Sequence, residues 1–173
     1  MSLAPKTPVA SVPQGGAVAL GRPGGELSWR WCRFADLGVD NLYDALALRC
    51  QVFIVEQEPY LDPDGVDRHC WHLLGRGAQG SLRAYLRLVD PGVKYTEPSM
   101  GRVVIASETR GTGAGHTLVG EGLRHCQVVW PGQGVRISAQ AHLQRFYTAH
   151  GFVAVGQPYD EDNIPHIQML RSA

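Results

Sequence analysis

The stretch VVIASETRGTGAGH, residues 103–116, places a β-branched run, a polar turn and a glycine-rich segment directly in front of a helical pattern. The first N–H groups of a helix lack partners inside the helix, and the helix dipole adds partial positive charge there. Gly111, Gly113 and Gly115 would let an anion approach this backbone closely. Residues 110–115, called the glycine loop below, are therefore predicted to bind a diphosphate through main-chain N–H groups.

Phosphate-binding loops of different classes are distinguished by the residues around their glycines. A P-loop needs Gly-Lys followed by Ser or Thr, but His116 follows Gly115. A dinucleotide-binding loop needs G-x-G-x-x-G, and counting from Gly111 or Gly113 the third glycine is missing. The spacing that remains is R-x-x-G-x-G, which begins at Arg110. A plain glycine-rich turn in front of a helix stays open as the alternative.

The flanking sequence predicts a domain of the α+β or mixed α/β class, because strands precede and follow the predicted helices. Alternating and apolar runs predict strands at residues 28–33, 71–74, 81–89, 101–106, 135–139, 152–155 and 166–170. Apolar residues at helical spacing predict helices at residues 42–53, 116–129 and 142–150, the first of them capped by Asp40.

Composition excludes several classes of partner. The 16 basic and 16 acidic residues balance, so bulk charge attracts neither nucleic acid nor an anionic membrane. No apolar run approaches the roughly 18 to 20 residues that span a bilayer. The four cysteines are scattered and no secretory apolar region opens the chain, so a cytoplasmic location is expected. Residues 1–25, rich in Pro, Gly and Ala, are expected to form a flexible tail, and residues 26–173 one domain.

A second motif adds a family resemblance. Residues 139–147 read AQAHLQRFY and are followed by HGF at 150–152. This segment and the R-x-x-G-x-G spacing, in this order, resemble the two motifs of the GNAT acetyltransferases. More narrowly, residues 31–169 resemble the ElaA group, through VFIVEQ at 52–57, DGVD at 64–67 and IPHI at 164–167. Glu58 stands where relatives often carry a cysteine, so no role of that cysteine carries over. Asn163 replaces a usual glycine and tolerates a left-handed backbone nearly as well.

The resemblance implies a twisted mixed sheet of six or seven strands, flanked by helices, with a splay between parallel strands four and five (residues 101–106 and 135–139). The pantetheine arm of acetyl-CoA would lie in that splay against strand four, and the pyrophosphate on the amides of the glycine loop. The implied cofactor-binding residues are Val103, Val104, Ile105, Arg110, Gly111, Thr112, Gly113, Ala114, Gly115, His116 and Gln140.

The implied reaction is direct attack of an amine on the acetyl thioester. A main-chain N–H near Ile105 would stabilise the oxyanion. Tyr147 is the candidate acid for the departing thiolate, since a phenol with a pKa of about 10 can protonate a thiolate of about 8.5. The alternative for Tyr147 is a buried aromatic residue of the core. The general base stays open among four residues or a water relay. These residues are Glu56, His72, His142 and Glu161.

The remaining features leave alternatives open. Asp62, Asp64, Asp67, His69 and His72 lack the EF-hand spacing, so a polar loop without metal is expected there, and Arg49 and Arg87 can pair with acidic groups. Residues 56–72, 90–99 and 160–165 are expected to choose the acceptor, a small-molecule or protein amine. A homodimer is left open. A catalytically silent acyl-CoA sensor on the same fold is the competing function.

Overall fold

The structure is a computed structural model that describes residues 27–58 and 60–173. The predicted tail at residues 1–25 lies outside the described residues. The strands are β1 (Ser28–Arg33), β2 (Cys70–Arg76), β3 (Leu82–Val89), β4 (Ser99–Ile105), β5 (Val135–Gln140), β6 (Val153–Ala154), β7 (Tyr159–Glu161) and β8 (Ile164–Arg171). The helices are α1 (Val39–Cys50), α2 (Ala114–Val129) and α3 (Gln144–Thr148). Among the described residues, no helix has both the length and the apolar character needed to cross a membrane.

The eight strands in the described part of the chain form one mixed sheet, so the predicted class is confirmed. The order is β1-β2-β3-β4-β5-β8-β6, and β7 pairs with β8 outside this path. Every pair is antiparallel except β4 with β5. The N-cap of helix α1 is Gly38, two residues before the predicted cap Asp40, which lies in the first turn instead. That capping prediction was wrong.

Among the described residues the sheet has eight strands instead of the six or seven expected, because a tight hairpin forms within residues 160–165. Asp162 and Asn163 have φ of +53° and +62°, and Glu161 pairs directly with Ile164 across them. Positive φ at both central residues is typical of the two-residue hairpin turn whose twist matches that of the flanking strands. Asp and Asn are favoured in such turns. The left-handed backbone expected at Asn163 is therefore confirmed.

Each face of the sheet has its own core. Helix α2 packs on one face against Leu86, Leu88, Met100 and Ile137, whereas α1 packs on the other. The approach of α2 is close at Gly122, where a Cβ atom would come within 2.6 Å of the Met100 methyl group. A larger residue there would have to displace the end of the Met100 side chain, and Leu86 Cδ2, 3.1 Å from the same position, limits the space further.

On the α1 face, an arginine–aspartate network holds the loop of residues 60–69 against the sheet. Its members are Arg49, Arg87, Arg102, Asp62, Asp64 and Asp67. Asp67 accepts hydrogen bonds from Arg49 Nη1 at 2.9 Å and Arg87 Nη1 at 2.7 Å. Burial disfavours ionisation of Asp64 and Asp67, but the guanidinium groups outweigh it, so both carboxyl pKa values are lowered. The predicted pairing of Arg49 and Arg87 with acidic groups is confirmed, and the carboxylates of this loop serve as arginine partners.

Candidate active site

Strand β4 contains a bulge that reverses which face of the sheet its side chains meet. The register with β3 shifts by one residue between Tyr85 and Arg87, and Arg102 on β4 has φ +52°. A bulge adds one residue to one strand of a pair and bends that strand locally. Met100 consequently packs in the α2 core, while Val104, four residues later, packs in the α1 core.

The bulged part of β4 borders a cleft between β4 and β5. The two strands pair at a single position, Ser99 opposite Arg136, and the Arg136 N–H donates to the Pro98 carbonyl at 3.0 Å. From there the strands diverge towards Ile105 and Gln140, so the predicted splay between parallel strands four and five is confirmed. Main-chain groups of residues 103–105 that face β5 have no strand partner across the cleft, and such groups can pair with an extended ligand.

The glycine loop follows β4 through a short turn and ends in α2. Gly111 and Gly113 have φ of +77° and +87°, in the left-handed region that favours glycine. The first helical hydrogen bond runs from Thr117 N–H to the Gly113 carbonyl, and no side chain caps the helix. The N–H groups of residues 114–116 therefore have no acceptor within the helix. A Cβ atom on Gly111 or Gly113 would meet nothing within 4 Å, so the space over the loop is open to an anion.

The side chain of Arg110 turns back onto the end of β4 rather than over the loop amides. Its Nε donates to the Ile105 carbonyl at 3.1 Å, and its Nη2 lies 2.6 Å from Glu56 Oε2. Both side chains of this ion pair are partly exposed, so the pair adds at most about 1 kcal/mol to stability. The side chain of Arg110 thus ties the loop to β4, so the donors that the loop leaves open to an anion are main-chain N–H groups.

Residues Glu56 and Gln57 bridge the open end of the cleft, a feature that the sequence did not predict. Helix α1 continues into a wider turn at Gln51–Val55, in which the Glu56 N–H donates to the Gln51 carbonyl at 3.1 Å. Such π-type turns occur mostly as single turns and often at functional sites. Next to the Arg110 contact of Glu56, the Gln57 Oε1 accepts a hydrogen bond from Gln140 Nε2 at 2.7 Å. The segment after α1 therefore contacts both sides of the predicted cofactor cleft.

A small aromatic cluster covers the start of α2. His116 Nδ1 lies 3.0 Å from His150 Nε2, and the Phe146 ring lies 4.7 Å from the His116 ring, between centroids. A Cβ atom on Gly115 would lie 3.6 Å from Phe146, an ordinary van der Waals contact, so this ring packs directly beside the first turn of the helix. Phe146 and His150 belong to this end of the cleft, and their contacts with residue 116 were not predicted from sequence.

Tyr147 lies on α3, which follows the end of β5 after a short turn. Its side chain is buried and packs edge-on against Phe146 and Phe152. Burial raises the pKa of Tyr147 to about 12. The phenol is therefore protonated at neutral pH, and its ring belongs to the core, as the alternative from sequence expected. The acid role of Tyr147 stays a prediction.

Of the four candidate bases, Glu56 lies at the open end of the cleft beside Arg110, and the other three differ in their access to the cleft. His72 is fully buried on β2, where its Nε2 donates to the Asp67 carbonyl at 3.0 Å and its Nδ1 accepts from the Tyr85 hydroxyl at 2.7 Å. Burial is the main reason that the pKa of His72 is lowered, and β3 separates it from β4. His142 is exposed two residues beyond β5, and Glu161 contacts β5 itself.

Comparison with known proteins agrees with this geometry. The family described as acetyltransferase (GNAT) domain matches residues 88–172. A UPF0039 protein of Synechocystis is 45% identical over 146 residues, which cover 84% of this chain and 95% of that protein. Protein ElaA of Escherichia coli is 40% identical over 148 residues, with 84% and 96% covered.

Two solved structures are similar to this chain in fold as well as in sequence. An acyl-CoA N-acyltransferase from Pseudomonas aeruginosa aligns with a TM-score of 0.81 at 45% identity, covering 84% of this chain and 99% of that one. The structure of Escherichia coli ElaA aligns with a TM-score of 0.79 at 39% identity, again covering 84% and 99%. With the splayed cleft, the bulged strand and the glycine loop all in place, this chain belongs to the GNAT acetyltransferases and, within them, to the group that includes ElaA.

Proposed function

We propose that the protein transfers an acetyl group from acetyl-CoA to an amine by direct attack of the amine on the thioester. The observation that carries this proposal is the row of unpaired N–H groups at residues 114–116, which opens onto free space beside the cleft. A diphosphate fits these donors, because a helix N-terminus favours negative charge and offers main-chain N–H groups together.

The cleft supports the rest of the cosubstrate assignment. The edge of β4 at Val103, Val104 and Ile105 has no strand partner across the cleft, and its main-chain groups other than the Ile105 carbonyl, which accepts from Arg110, suit the amides of a pantetheine arm. Gln140 on β5 offers an amide side chain opposite. The other donors are in the loop, at Gly111, Thr112 and Gly113 and in the first turn of α2. Placing both reactants in one cleft replaces a bimolecular encounter and can supply several kcal/mol of the barrier reduction.

The chemistry balances with the groups at hand. The amine nitrogen forms a bond to the acetyl carbon, a main-chain N–H near Ile105 stabilises the oxyanion, and the carbon–sulfur bond then breaks. The departing thiolate takes a proton or a strong hydrogen bond from Tyr147, and the nitrogen loses its proton to a base or to water. A pKa of about 12 for Tyr147 exceeds that of an ordinary thiol, about 8.5. Tyr147 therefore acts chiefly as a hydrogen-bond donor to the sulfur as charge develops.

Replacing Tyr147 by phenylalanine tests this role. We expect kcat to fall by about tenfold to a hundredfold, because general acids of this kind contribute about 10²–10⁴ and water can replace part of the effect. The stabilisation of the folded protein by excess CoA should stay unchanged, because the hydroxyl is not a diphosphate donor. Tyr43→Phe, which alters an exposed tyrosine on α1, is the matched control. Equal turnover of the Tyr147→Phe variant at saturating amine would remove Tyr147 from the mechanism.

The transfer itself is tested by following thiol release from acetyl-CoA across a panel of alkyl, aryl and peptide amines, with mass spectrometry of the products. Thermal unfolding with and without excess CoA is measured in parallel, since a ligand that binds only the native state must stabilise it. We expect both stabilisation and an acetylated amine. Stabilisation without any acetylated amine would favour a silent acyl-CoA sensor, and the absence of stabilisation would contradict CoA binding altogether.

A further inference from the structure

A second group of polar residues lies on the cleft side of β5, away from the glycine loop. Along β5 the buried residues Val135, Ile137 and Ala139 alternate with three partly exposed polar residues, so the polar ones share the face opposite the α2 core. Ser138 is the central polar residue. Its Oγ lies 2.6 Å from the Tyr159 hydroxyl and 3.0 Å from Glu161 Oε2. The Tyr159 hydroxyl also donates to Glu161 Oε2 at 3.2 Å, which closes a triangle of three oxygen groups.

The charge of Glu161 in this triangle is not balanced. The neighbouring cation, Arg136, already makes two hydrogen bonds to the Glu97 carboxylate, at 3.1 and 2.8 Å, and a third to Gln168. No salt bridge among residues 27–58 and 60–173 includes Glu161, whose partners are the two hydroxyl groups. A carboxylate held by neutral donors keeps the capacity to accept hydrogen bonds from a cation.

Aromatic rings border the same carboxylate. Tyr159 is about one-third exposed, and Tyr95 lies near both Tyr159 and Glu161. Burial, and after it the neighbouring Tyr159 and Glu161, raises the pKa of Tyr95, so this phenol stays neutral at physiological pH. Neutral tyrosine rings attract cations through their faces. The Arg136 guanidinium already lies over the Tyr95 ring, 5.5 Å from its centroid, so the partly exposed Tyr159 ring is the one that can meet a ligand. A carboxylate, two hydroxyl oxygens and the Tyr159 ring together match the three N–H donors and the charge of an alkylammonium group.

The triangle borders the part of the cleft where the strands have separated. The pairing of β4 with β5 ends at Arg136, and Ser138 is two residues further into the open part. Gln140, at the other end of this stretch, is a further two residues along, or about 7 Å from Ser138 at the rise of a strand. A group bound at Glu161 would therefore lie beside the path proposed for the pantetheine arm.

We propose that Glu161, with Tyr159 and Ser138, binds the positively charged amine of the acceptor, so that the substrates are alkylammonium compounds rather than neutral arylamines. This inference rests on the proposed function, because it identifies the acceptor side of the same cleft. Glu161 acts here as a binding residue: its carboxylate fixes the ammonium group, and the proton leaves to water or to another base once the nitrogen reaches the thioester.

Glu161→Gln tests the proposal, because it removes the charge and keeps an acceptor oxygen for Ser138 and Tyr159. With an alkylamine that the thiol-release panel identifies, we expect kcat/KM to fall by about tenfold or more, mainly through KM, since hydrogen bonds to charged groups are stronger than those between neutral ones. Any arylamine substrate should keep its kcat/KM. Asp162→Asn is the matched control, because it removes the same charge one residue away at an exposed turn position that Asn accepts.

The outcomes separate this proposal from the proposed function. An unchanged KM for the alkylamine in Glu161→Gln, or an equal rise in Asp162→Asn, would overturn the assignment of Glu161 while leaving acetyl transfer intact. If no amine is acetylated, binding of benzylamine and of neutral benzyl alcohol to the CoA complex is measured by NMR. Preference for benzylamine that Glu161→Gln abolishes would support the ammonium site, and equal binding of both compounds would refute it. Stabilisation by CoA in the variant shows in either case that it is folded.

Discussion

Asp67→Ala is expected to lower the free energy of unfolding by about 3 kcal/mol, as measured by urea denaturation. Asp67 is 7% exposed and accepts hydrogen bonds from both Arg49 and Arg87, so its removal leaves two buried guanidinium groups short of a counter-charge. Breaking a buried ion pair from one side costs about 3–5 kcal/mol. We expect the lower end of that range, because Arg49 keeps Asp62 and Arg87 keeps Asp64.

Asp90→Ala is the matched control for this prediction. Asp90 also accepts two hydrogen bonds from one arginine, Arg33, at 2.7 and 2.9 Å, but both side chains are about one-third exposed. Exposed ion pairs contribute about 0–1 kcal/mol, so its loss should cost less than about 1 kcal/mol. Similar decreases in the free energy of unfolding for Asp67→Ala and Asp90→Ala would show that burial does not determine how much the network contributes to stability.

Gly113→Val is expected to weaken CoA binding by about a hundredfold. Gly113 has φ +87°, a conformation that costs a β-branched residue about 1–2 kcal/mol, and a side chain there would enter the open space over the loop amides. At a CoA concentration of about 100 times the wild-type Kd, CoA should stabilise the wild type by about 2.7 kcal/mol and the variant by only about 0.4 kcal/mol. The measurement is thermal unfolding of each protein with and without CoA, so that any loss of intrinsic stability cancels.

Gly120→Val provides the control within the same helix. Gly120 lies inside α2 with helical backbone, and a Cβ atom there meets nothing within 4 Å. Valine is a better helix former than glycine, so neither stability nor CoA binding should decrease. A normal response of Gly113→Val to CoA would place the diphosphate elsewhere and would contradict the cosubstrate site.

The parts of the site that are local in sequence could be predicted, because local chemistry determines them. Residues 103–116 combine a strand, left-handed glycines and a helix start within fourteen residues, and this local structure depends on no distant contact. The hairpin at Asn163 was anticipated only in its backbone conformation. Its pairing added a strand, since pattern alone does not show whether a turn is two residues long or six.

The contacts that bridge the cleft could not be predicted, since they join residues far apart in sequence. Gln57 and Gln140 are 83 residues apart, and Glu56 and Arg110 are 54 apart. The π-type turn that precedes Glu56 and Gln57 has no characteristic sequence pattern by which it could be predicted. Asp40 failed as a cap because Gly38, with φ +78°, lets the chain turn into the helix two residues earlier. The polar triangle at Glu161 likewise needed the added strand β7, which brings Tyr159 beside Ser138.

The bulge at Arg102 determines which face of the sheet each later side chain of β4 meets. Side chains along a strand alternate with a period of two, so a change of one residue in strand length exchanges the two faces. Deleting one residue at this point would turn Val104 from the α1 core towards α2 and rotate the main-chain edge that borders the cleft. A single inserted residue thus determines how the end of the strand, the glycine loop and the helix that follows are oriented relative to the two cores.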